Sequence, residues 1–182
     1  MINPHIALLR GINVGGRNKL PMRDLAAIFT DIGCVDVTTY IQSGNVVFRA
    51  PAKLANQIPR LISAGIAERF DLRIPVVTRS AAELEGVVAG NPYLGIESDF
   101  TKLHVAFLAD RPTPASIDKL DPNRSPPDRF RLMGTEIYLH LPNGAARSKL
   151  TNAYFDSRLG TTSTARNWKT VLKLHELAGL GQ

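Results

Sequence analysis

The sequence predicts an α+β protein built from two tandem ferredoxin-like units, residues 1–95 and 96–182. Three observations support this fold class. Short segments of the first half return in the second half in the same order. Each half alternates strand and helix patterns in the order strand, helix, strand, strand, helix, strand, helix. The chain of 182 residues, with 44% hydrophobic and 21% charged residues, has the composition of an ordinary globular protein.

Three pairs of segments define the internal repeat. In chain order the pairs are His5–Leu9 with His104–Leu108, Ala52–Asn56 with Ser148–Asn152, and Thr78–Ser80 with Ala165–Asn167. One such match would be weak evidence. Three matches in the same order indicate two copies of one unit that pack into one compact protein.

The first unit is predicted to contain four strands and three helices. Its strands are short apolar or alternating runs at residues 5–11, 35–42, 46–49 and 74–78. The first helix lies within Pro21–Gly33, because proline suits the first turn and glycine ends a helix. The second covers 52–70, where Pro59 kinks it or displaces its start. Ser80 and Glu83 form a capping box that begins the third helix.

The second unit repeats this order after a joint at residues 91–101. Its predicted strands lie at residues 103–108, 129–133, 136–141 and 161–165. A helix begins at Thr113 and stops before Pro122. Ser148 is expected to cap the next helix, and Asn167 is expected to cap the last one.

Composition excludes several classes of protein and indicates a compartment. The sequence has no run of 18 apolar residues, so no membrane span or membrane partner is expected. The first residues lack the basic and apolar regions of a secretory signal. A single cysteine, Cys34, excludes an intramolecular disulfide and a multi-cysteine metal site. The predicted location is therefore the cytoplasm.

The positive charge of the chain favours anionic partners. The formal net charge is +6 and the pI is about 9.8. Basic residues are concentrated in two stretches, residues 10–23 and 143–173. A solvated basic surface with no ligand would have the same composition. The functional prediction therefore depends on the motifs of the sequence and not on its net charge.

Four short segments of the sequence resemble the signature segments of the bacterial domain-of-unknown-function family 1697. In chain order they are Arg10–Asn18, Thr39–Asn45, Arg147–Thr151 and Thr164–Thr170. The likeness spans nearly the whole chain. It implies a cytosolic bacterial protein of about this length and no established activity. The sequence differs from the family pattern at Asp156, Ala165 and Lys169, where the family often has Glu, Thr and Asn.

The first motif suggests an anion-binding loop. Gly11 and Gly16 have the spacing of a P-loop, but Arg17 and Asn18 stand where lysine and a hydroxyl residue are required. The following helix also begins too late, so nucleotide hydrolysis of the P-loop kind is not predicted. Backbone N–H groups around Gly15 and Gly16 could form an anion nest, or the two glycines could form a simple turn.

The later motifs lie where helices are expected to begin. Ser148 and Lys149 precede one predicted helix, and Arg166 and Asn167 precede another. Helix N-termini carry unpaired N–H groups and bind anions readily. Ordinary capping explains the same residues. Trp168 is either a core residue or a surface on which a base stacks.

Candidates for catalysis are few. Cys34 is expected to be a packing residue. His5 and His104 occupy matching strand starts, which suggests a structural role in both copies. The sequence shows no metal-binding spacing and no cofactor motif. Whether the protein is an enzyme, and its oligomeric state, stay open at this stage.

The functional prediction is an anion site at the junction of the two repeated units, for a phosphorylated or carboxylated small molecule. Two alternatives are a nucleic-acid-binding module and a purely structural role for the motifs. An RNA-recognition module is less favoured because the strand at 45–49 lacks the required aromatic pattern. The ten predicted ligand-binding residues are Arg10, Asn13, Gly15, Gly16, Ser43, Asn45, Arg147, Lys149, Arg166 and Asn167.

Overall fold

The computed structural model describes residues 1–179 and has a mixed α+β fold. Within these residues there are two four-stranded antiparallel sheets and seven α-helices. The chain divides into two compact units. The first unit is Met1–Gly86 together with the segment that begins at Leu174, and the second is Val87–Lys173. The predicted α+β class is confirmed, whereas the predicted domains 1–95 and 96–182 stay a prediction.

The first unit contains four strands, three complete helices and the start of a fourth. The strands are β1 (Ile2–Leu9), β2 (Val35–Tyr40), β3 (Asn45–Pro51) and β4 (Val76–Ser80). The helices are α1 (Met22–Asp31), α2 (Ala52–Ala55), α3 (Ile58–Phe70) and α4 (Ala81–Ala89). The strand order in the sheet is β2-β3-β1-β4. The helix predicted over 52–70 is divided, because Pro59 lies in the first turn of α3 and displaces its start.

The second unit follows the same order of elements. Its strands are β5 (Leu103–Leu108), β6 (Arg129–Met133), β7 (Glu136–His140) and β8 (Ser163–Asn167). Its helices are α5 (Pro114–Ile117), α6 (Asn152–Leu159) and the first part of α7 (Trp168–Leu177), of which the residues from Leu174 belong to the first unit. Short 3-10 turns lie at Phe100–Lys102 and Ala145–Arg147. The strand order is β6-β7-β5-β8, the same as in the first sheet.

The pairing register confirms the repeat that the sequence predicts. In the first sheet His5 lies opposite Ser80, and in the second His104 lies opposite Asn167. The ends of these strands correspond as well. The Leu9 N–H donates to the Gly44 carbonyl at 2.8 Å, and the Leu108 N–H donates to the Thr135 carbonyl at 2.9 Å, each in the turn of the neighbouring hairpin. The two copies therefore match residue by residue along their central strands.

Each unit packs helices on one face of its sheet. In the first unit α1 contributes Leu25, Ile28 and Phe29, and α3 contributes Ile58, Ile62 and Ile66, to a core shared with β1 and β3. In the second unit Phe155 and Leu159 of α6 pack on β5 and β7. Each large apolar side chain that is fully buried stabilises the fold by about 1.5–3 kcal/mol.

The helix predicted from Thr113 to the residue before Pro122 is shorter than expected. The α-helix covers only Pro114–Ile117, and turns with bonds from Lys119 to Ser116 and from Leu120 to Ile117 follow it. A residue before proline disfavours the α conformation, so the helix cannot extend to Asp121. Helix α5 therefore has 4 residues, whereas α1 of the first unit has 10.

Candidate functional site

We call residues 10–23 of the first unit the basic hairpin. They comprise the loop after β1, which has an ordered base, and the first two residues of α1. The Asn13 side-chain amide donates to the carbonyls of Leu20 at 2.9 Å and Gln42 at 2.8 Å. Its Oδ1 accepts from the Leu20 N–H at 2.8 Å. Asn13 was predicted to bind a ligand, but its amide is occupied in bonding to the end of the loop at Leu20 and to Gln42 before β3.

The tip of the basic hairpin is a tight turn at Gly15 and Gly16. Both residues have positive φ, 57° and 76°, and the Arg17 N–H donates to the Val14 carbonyl at 3.0 Å. A two-residue turn with positive φ at both positions is the type that joins twisted antiparallel segments. Both glycines are exposed, and their predicted role in an anion nest stays a prediction.

The Ser43–Asn45 motif is a packed turn at the start of β3. Asn45 has no exposed surface, and its Nδ2 donates to the Tyr40 carbonyl at 3.1 Å and to Ser43 Oγ at 2.9 Å. The Gly44 carbonyl accepts from the Leu9 N–H at the end of β1. This geometry supports a structural role for Asn45, because its side chain is closed off from solvent.

Ser148 is not a helix cap, which corrects the sequence prediction. Helix α6 begins at Asn152, and Thr151 Oγ1 accepts from the Tyr154 N–H at 3.2 Å as the cap. Ser148 Oγ instead accepts from the Leu150 N–H within a turn. Thr151 precedes the helix with an extended backbone (ψ 160°), as a cap residue requires, and therefore takes this position. Gly160 ends α6 with φ 68°.

Arg147 and Lys149 therefore do not lie at a helix N-terminus. Both side chains are exposed. The backbone N–H of Lys149 donates to Ser125 Oγ at 3.0 Å, which fixes the main chain here but leaves the ammonium at the surface. Their predicted ligand role stays a prediction.

Arg166 and Asn167 are occupied within the second unit. The Arg166 side chain is only 9% exposed, and its Nη1 donates to Thr164 Oγ1 at 2.8 Å and to the Ala165 carbonyl at 2.9 Å. Burial lowers the pKa of this guanidinium to about 10. Asn167 Oδ1 accepts from the Lys169 N–H at 2.9 Å, so Asn167 caps α7 as predicted. Trp168 is buried and therefore belongs to the core.

Cys34 has no features of a nucleophile. It is buried in the core of the first unit, and burial raises the pKa of its thiol to about 11. The thiolate is the reactive form, so the thiol is inert at neutral pH. The expected packing role agrees with this environment.

The paired histidines border equivalent clefts in the two units. His5 lines a cleft of about 620 Å³ with Ala52 and Asn56, and His104 lines a smaller one of about 220 Å³. Ser148 and Asn152 occupy the matching positions in the second cleft. His5 Nε2 and His104 Nδ1 are buried without a hydrogen-bond partner among residues 1–179. Burial lowers the pKa of both imidazoles, although contacts with Ala50 and Glu83 partly oppose this at His5.

We expect these two histidines to make the protein less stable as the pH falls below about 6.5. Their unfolded-state pKa is about 6.5 and the folded value is lower, so the unfolded chain binds more protons in this window. Each histidine contributes at most about 1.4 kcal/mol per pH unit. Urea denaturation at pH 5.0 to 7.5 measures the slope. The variant with His5→Gln and His104→Gln should lose this dependence of the unfolding free energy on pH. An unchanged slope in the variant would contradict its attribution to the two histidines.

A group of basic side chains without acidic partners lies on the edge strand β6 of the second unit. Arg129 and Arg131 alternate along the strand with Phe130, which packs against Phe155 of α6. Successive side chains of a strand point to opposite faces, so both arginines project from the sheet face that is turned away from α6. Both arginines are exposed, and neither has a hydrogen bond or salt bridge to residues 1–179. Their guanidinium charges are therefore available to a ligand.

These arginines line a cleft of about 390 Å³ together with Tyr93, which we call the arginine cleft. Its other walls are mostly apolar and are formed by Pro92, Ile96, Pro122 and Phe130. Tyr93 is 9% exposed, and its hydroxyl has no hydrogen-bond partner in the described chain. Burial raises the pKa of Tyr93, while Arg131 and Arg129 oppose this, so the phenol stays protonated and lies in the field of both guanidiniums.

One acidic residue next to the cleft in sequence, Glu97, is already occupied. Glu97 Oε1 accepts from the Asp99 N–H, and its Oε2 lies 3.0 Å from His140 Nε2 and 3.9 Å from Lys102 Nζ. These contacts lower the pKa of Glu97, the Asp99 backbone bond most strongly. Glu97 therefore does not neutralise Arg129 or Arg131.

Sequence reasoning missed the arginine cleft. The available signal was the alternation Arg129-Phe130-Arg131-Leu132, which places two like charges on one face of a strand. The contribution of Tyr93 has no sequence signal, because the residue lies 36 positions earlier in the chain. No group of three or more potential metal ligands occurs among residues 1–179.

The fold defines a two-unit α+β protein with two four-stranded antiparallel sheets. A family model described as "Protein of unknown function (DUF1697)" matches residues 2–138. The chain therefore belongs to this family, as the sequence motifs predicted. The first two motifs lie inside the matched residues, and the motifs at Arg147 and Thr164 lie beyond them.

A solved structure with the same fold is the conserved bacterial protein SP0830 from Streptococcus pneumoniae. It is 22% identical in sequence, with a TM-score of 0.68 over 98% of this chain and 99% of that chain. At this identity the similarity establishes the fold. No curated protein matches the chain. Within residues 1–179, no helix has the length and hydrophobicity that crossing a bilayer requires.

Proposed function

We propose that the protein binds a small phosphorylated or carboxylated molecule in the arginine cleft of its second unit. The observation that carries this proposal is the convergence of two unpaired guanidiniums and the unpaired Tyr93 hydroxyl on one cleft. Arginine presents donors in a fork that matches the oxygens of phosphate and carboxylate groups. The phenol adds a further donor at the same location.

The walls of the cleft indicate the rest of the ligand. Pro92, Ile96 and Pro122 offer apolar surface beside the charged end. Small-molecule sites commonly combine an apolar lining with a few polar groups that fix orientation, and volumes of about 300–1,000 Å³ are typical. The volume of about 390 Å³ suits a small ligand with an anionic group and an apolar body.

Titration calorimetry with phenyl phosphate and with benzoate tests the proposal directly. The full chain should bind at least one of them with 1:1 stoichiometry, and added salt should weaken the binding. Tyr93→Phe should reduce the affinity by about ten- to a hundredfold, since a hydrogen bond to a charged group contributes about 1.5–3 kcal/mol. Neither ligand binding at 10 mM would refute an anion site of this kind.

We propose that each unit is ferredoxin-like, which the element order and the strand order β2-β3-β1-β4 support. The single cysteine, buried and without a disulfide partner, supports a cytoplasmic location. A shared site formed by residues of both units, and the domain limits 1–95 and 96–182, also remain proposals.

A further inference from the structure

A second cationic feature lies in the first unit, in the basic hairpin. Arg17, Lys19 and Arg23 are exposed, and the sequence has no acidic residue between positions 10 and 23. None of the three side chains has a hydrogen bond or salt bridge within the described part of the chain. Three positive charges are therefore presented to solvent without neutralisation.

The frame that carries these charges is fixed. Ile12 and Leu20 are each 1% exposed and belong to the core, so both ends of the loop are anchored. Asn13 joins these ends through two hydrogen bonds to Leu20 and bonds the loop to Gln42 through a third, and Asn18 Nδ2 donates to the Gly11 carbonyl at 2.8 Å. A preorganised loop loses less conformational entropy on binding than a mobile one.

Residues 13–18 of the basic hairpin form a short two-stranded ribbon, and Arg23 lies outside it, in the first turn of α1. The Val14–Arg17 bridge and the turn at Gly15 and Gly16 close its tip, where Val14 is 64% exposed. The major groove of duplex DNA admits a two-stranded ribbon, and cations on its sides contact the flanking phosphates. One exposed apolar residue offers too little apolar surface for stable insertion into a membrane.

We infer that the basic hairpin binds double-stranded DNA through its phosphate backbone, with Arg17, Lys19 and Arg23 as the contacting cations. The tip enters the groove, and the three charges replace counterions along the backbone. Contacts to phosphate carry no sequence information, so binding through these residues is independent of base sequence. This surface belongs to the first unit and is separate from the arginine cleft.

Fluorescence anisotropy with a labelled 20-base-pair duplex of mixed sequence tests the inference. The logarithm of the association constant should fall linearly with the logarithm of salt between 50 and 200 mM. Each lost phosphate contact reduces the slope by about 0.9. The triple variant with Arg17→Gln, Lys19→Gln and Arg23→Gln should therefore have a slope smaller by about 3, and its affinity at 50 mM salt should fall more than about tenfold.

A matched variant removes the same charge from elsewhere in the first unit. Lys53, Arg60 and Arg73 are also exposed, and replacing all three by Gln should leave most of the affinity and slope intact. Arg17→Lys keeps the charge and should keep the slope. Circular dichroism melts of all variants verify that they fold.

Four results would overturn the inference. The first is a lack of DNA binding by the wild-type chain at 50 mM salt. The second is an equal loss in both triple variants, which would indicate an effect of net charge alone. The third is tighter binding to a single-stranded RNA of the same length. The fourth is binding to phosphatidylglycerol vesicles, but not to DNA, that depends on the same three residues.

Discussion

Replacing Arg129 and Arg131 together by Ala should abolish anion binding in the second unit while the protein stays folded. A charge-assisted hydrogen bond contributes about 1.5–3 kcal/mol, so two lost contacts weaken binding by about two to four orders of magnitude. Both side chains are exposed and make no ion pair to residues 1–179, so the melting temperature should change little. Calorimetric titration with phenyl phosphate measures the first effect and a thermal melt the second.

The matched control is the double variant with Arg147→Ala and Lys149→Ala. It removes the same charge from two exposed residues of the same unit, which the sequence predicted as ligand contacts. Binding that survives this change and disappears in the Arg129 and Arg131 variant supports the arginine cleft. The reverse pattern would reject the cleft and support the site predicted from the motifs.

Gly44→Ala should destabilise the protein by about 3 kcal/mol or more. A Cβ at this position would lie 2.6 Å from Leu9 Cβ and 2.9 Å from Ile12 Cδ1. Leu9 Cβ is fixed by the backbone of β1, so rotation of a side chain cannot relieve that contact. The φ of +78° adds about 1–2 kcal/mol of strain to the about 1–3 kcal/mol typical of overpacking. Urea denaturation measures the loss.

Gly134→Ala separates the two causes of this effect. Gly134 lies in the matching hairpin of the second unit and has a φ of +66°, but the nearest atom to an added Cβ is Glu136 Oε2 at 3.8 Å. Only the backbone strain applies there, so the loss should be about 1–2 kcal/mol. Equal losses at both glycines would show that close packing against β1 is not responsible.

The strands and the repeat were predictable because their signals are local. His5 and His104 open similar apolar runs, and the registers His5 with Ser80 and His104 with Asn167 follow from the pairing of those runs. The capping box was also predictable from two residues. Ser80 N–H donates to Glu83 Oε2 at 2.7 Å, and the Glu83 N–H donates to Ser80 Oγ at 3.3 Å.

The candidate site was less predictable, because the fate of a polar side chain depends on distant neighbours. The sequence predicts that Asn13 binds a ligand, but its side-chain amide donates to the carbonyls of Leu20 and Gln42. Arg166 reads as a surface cation, yet its position in β8 buries it. Arg129 and Arg131 lie in a stretch with no recognised motif. Their importance depends on Tyr93, which is brought near them only by the tertiary fold.

Because Cys34 is buried, the native protein has no thiol that reacts readily with labelling reagents. It is the only cysteine in the sequence, and its thiol is both enclosed and held in the protonated form. A cysteine introduced at an exposed position such as Val14 would therefore react with a maleimide dye while Cys34 does not. A spectroscopic reporter can be placed at the tip of the basic hairpin without removing the native cysteine.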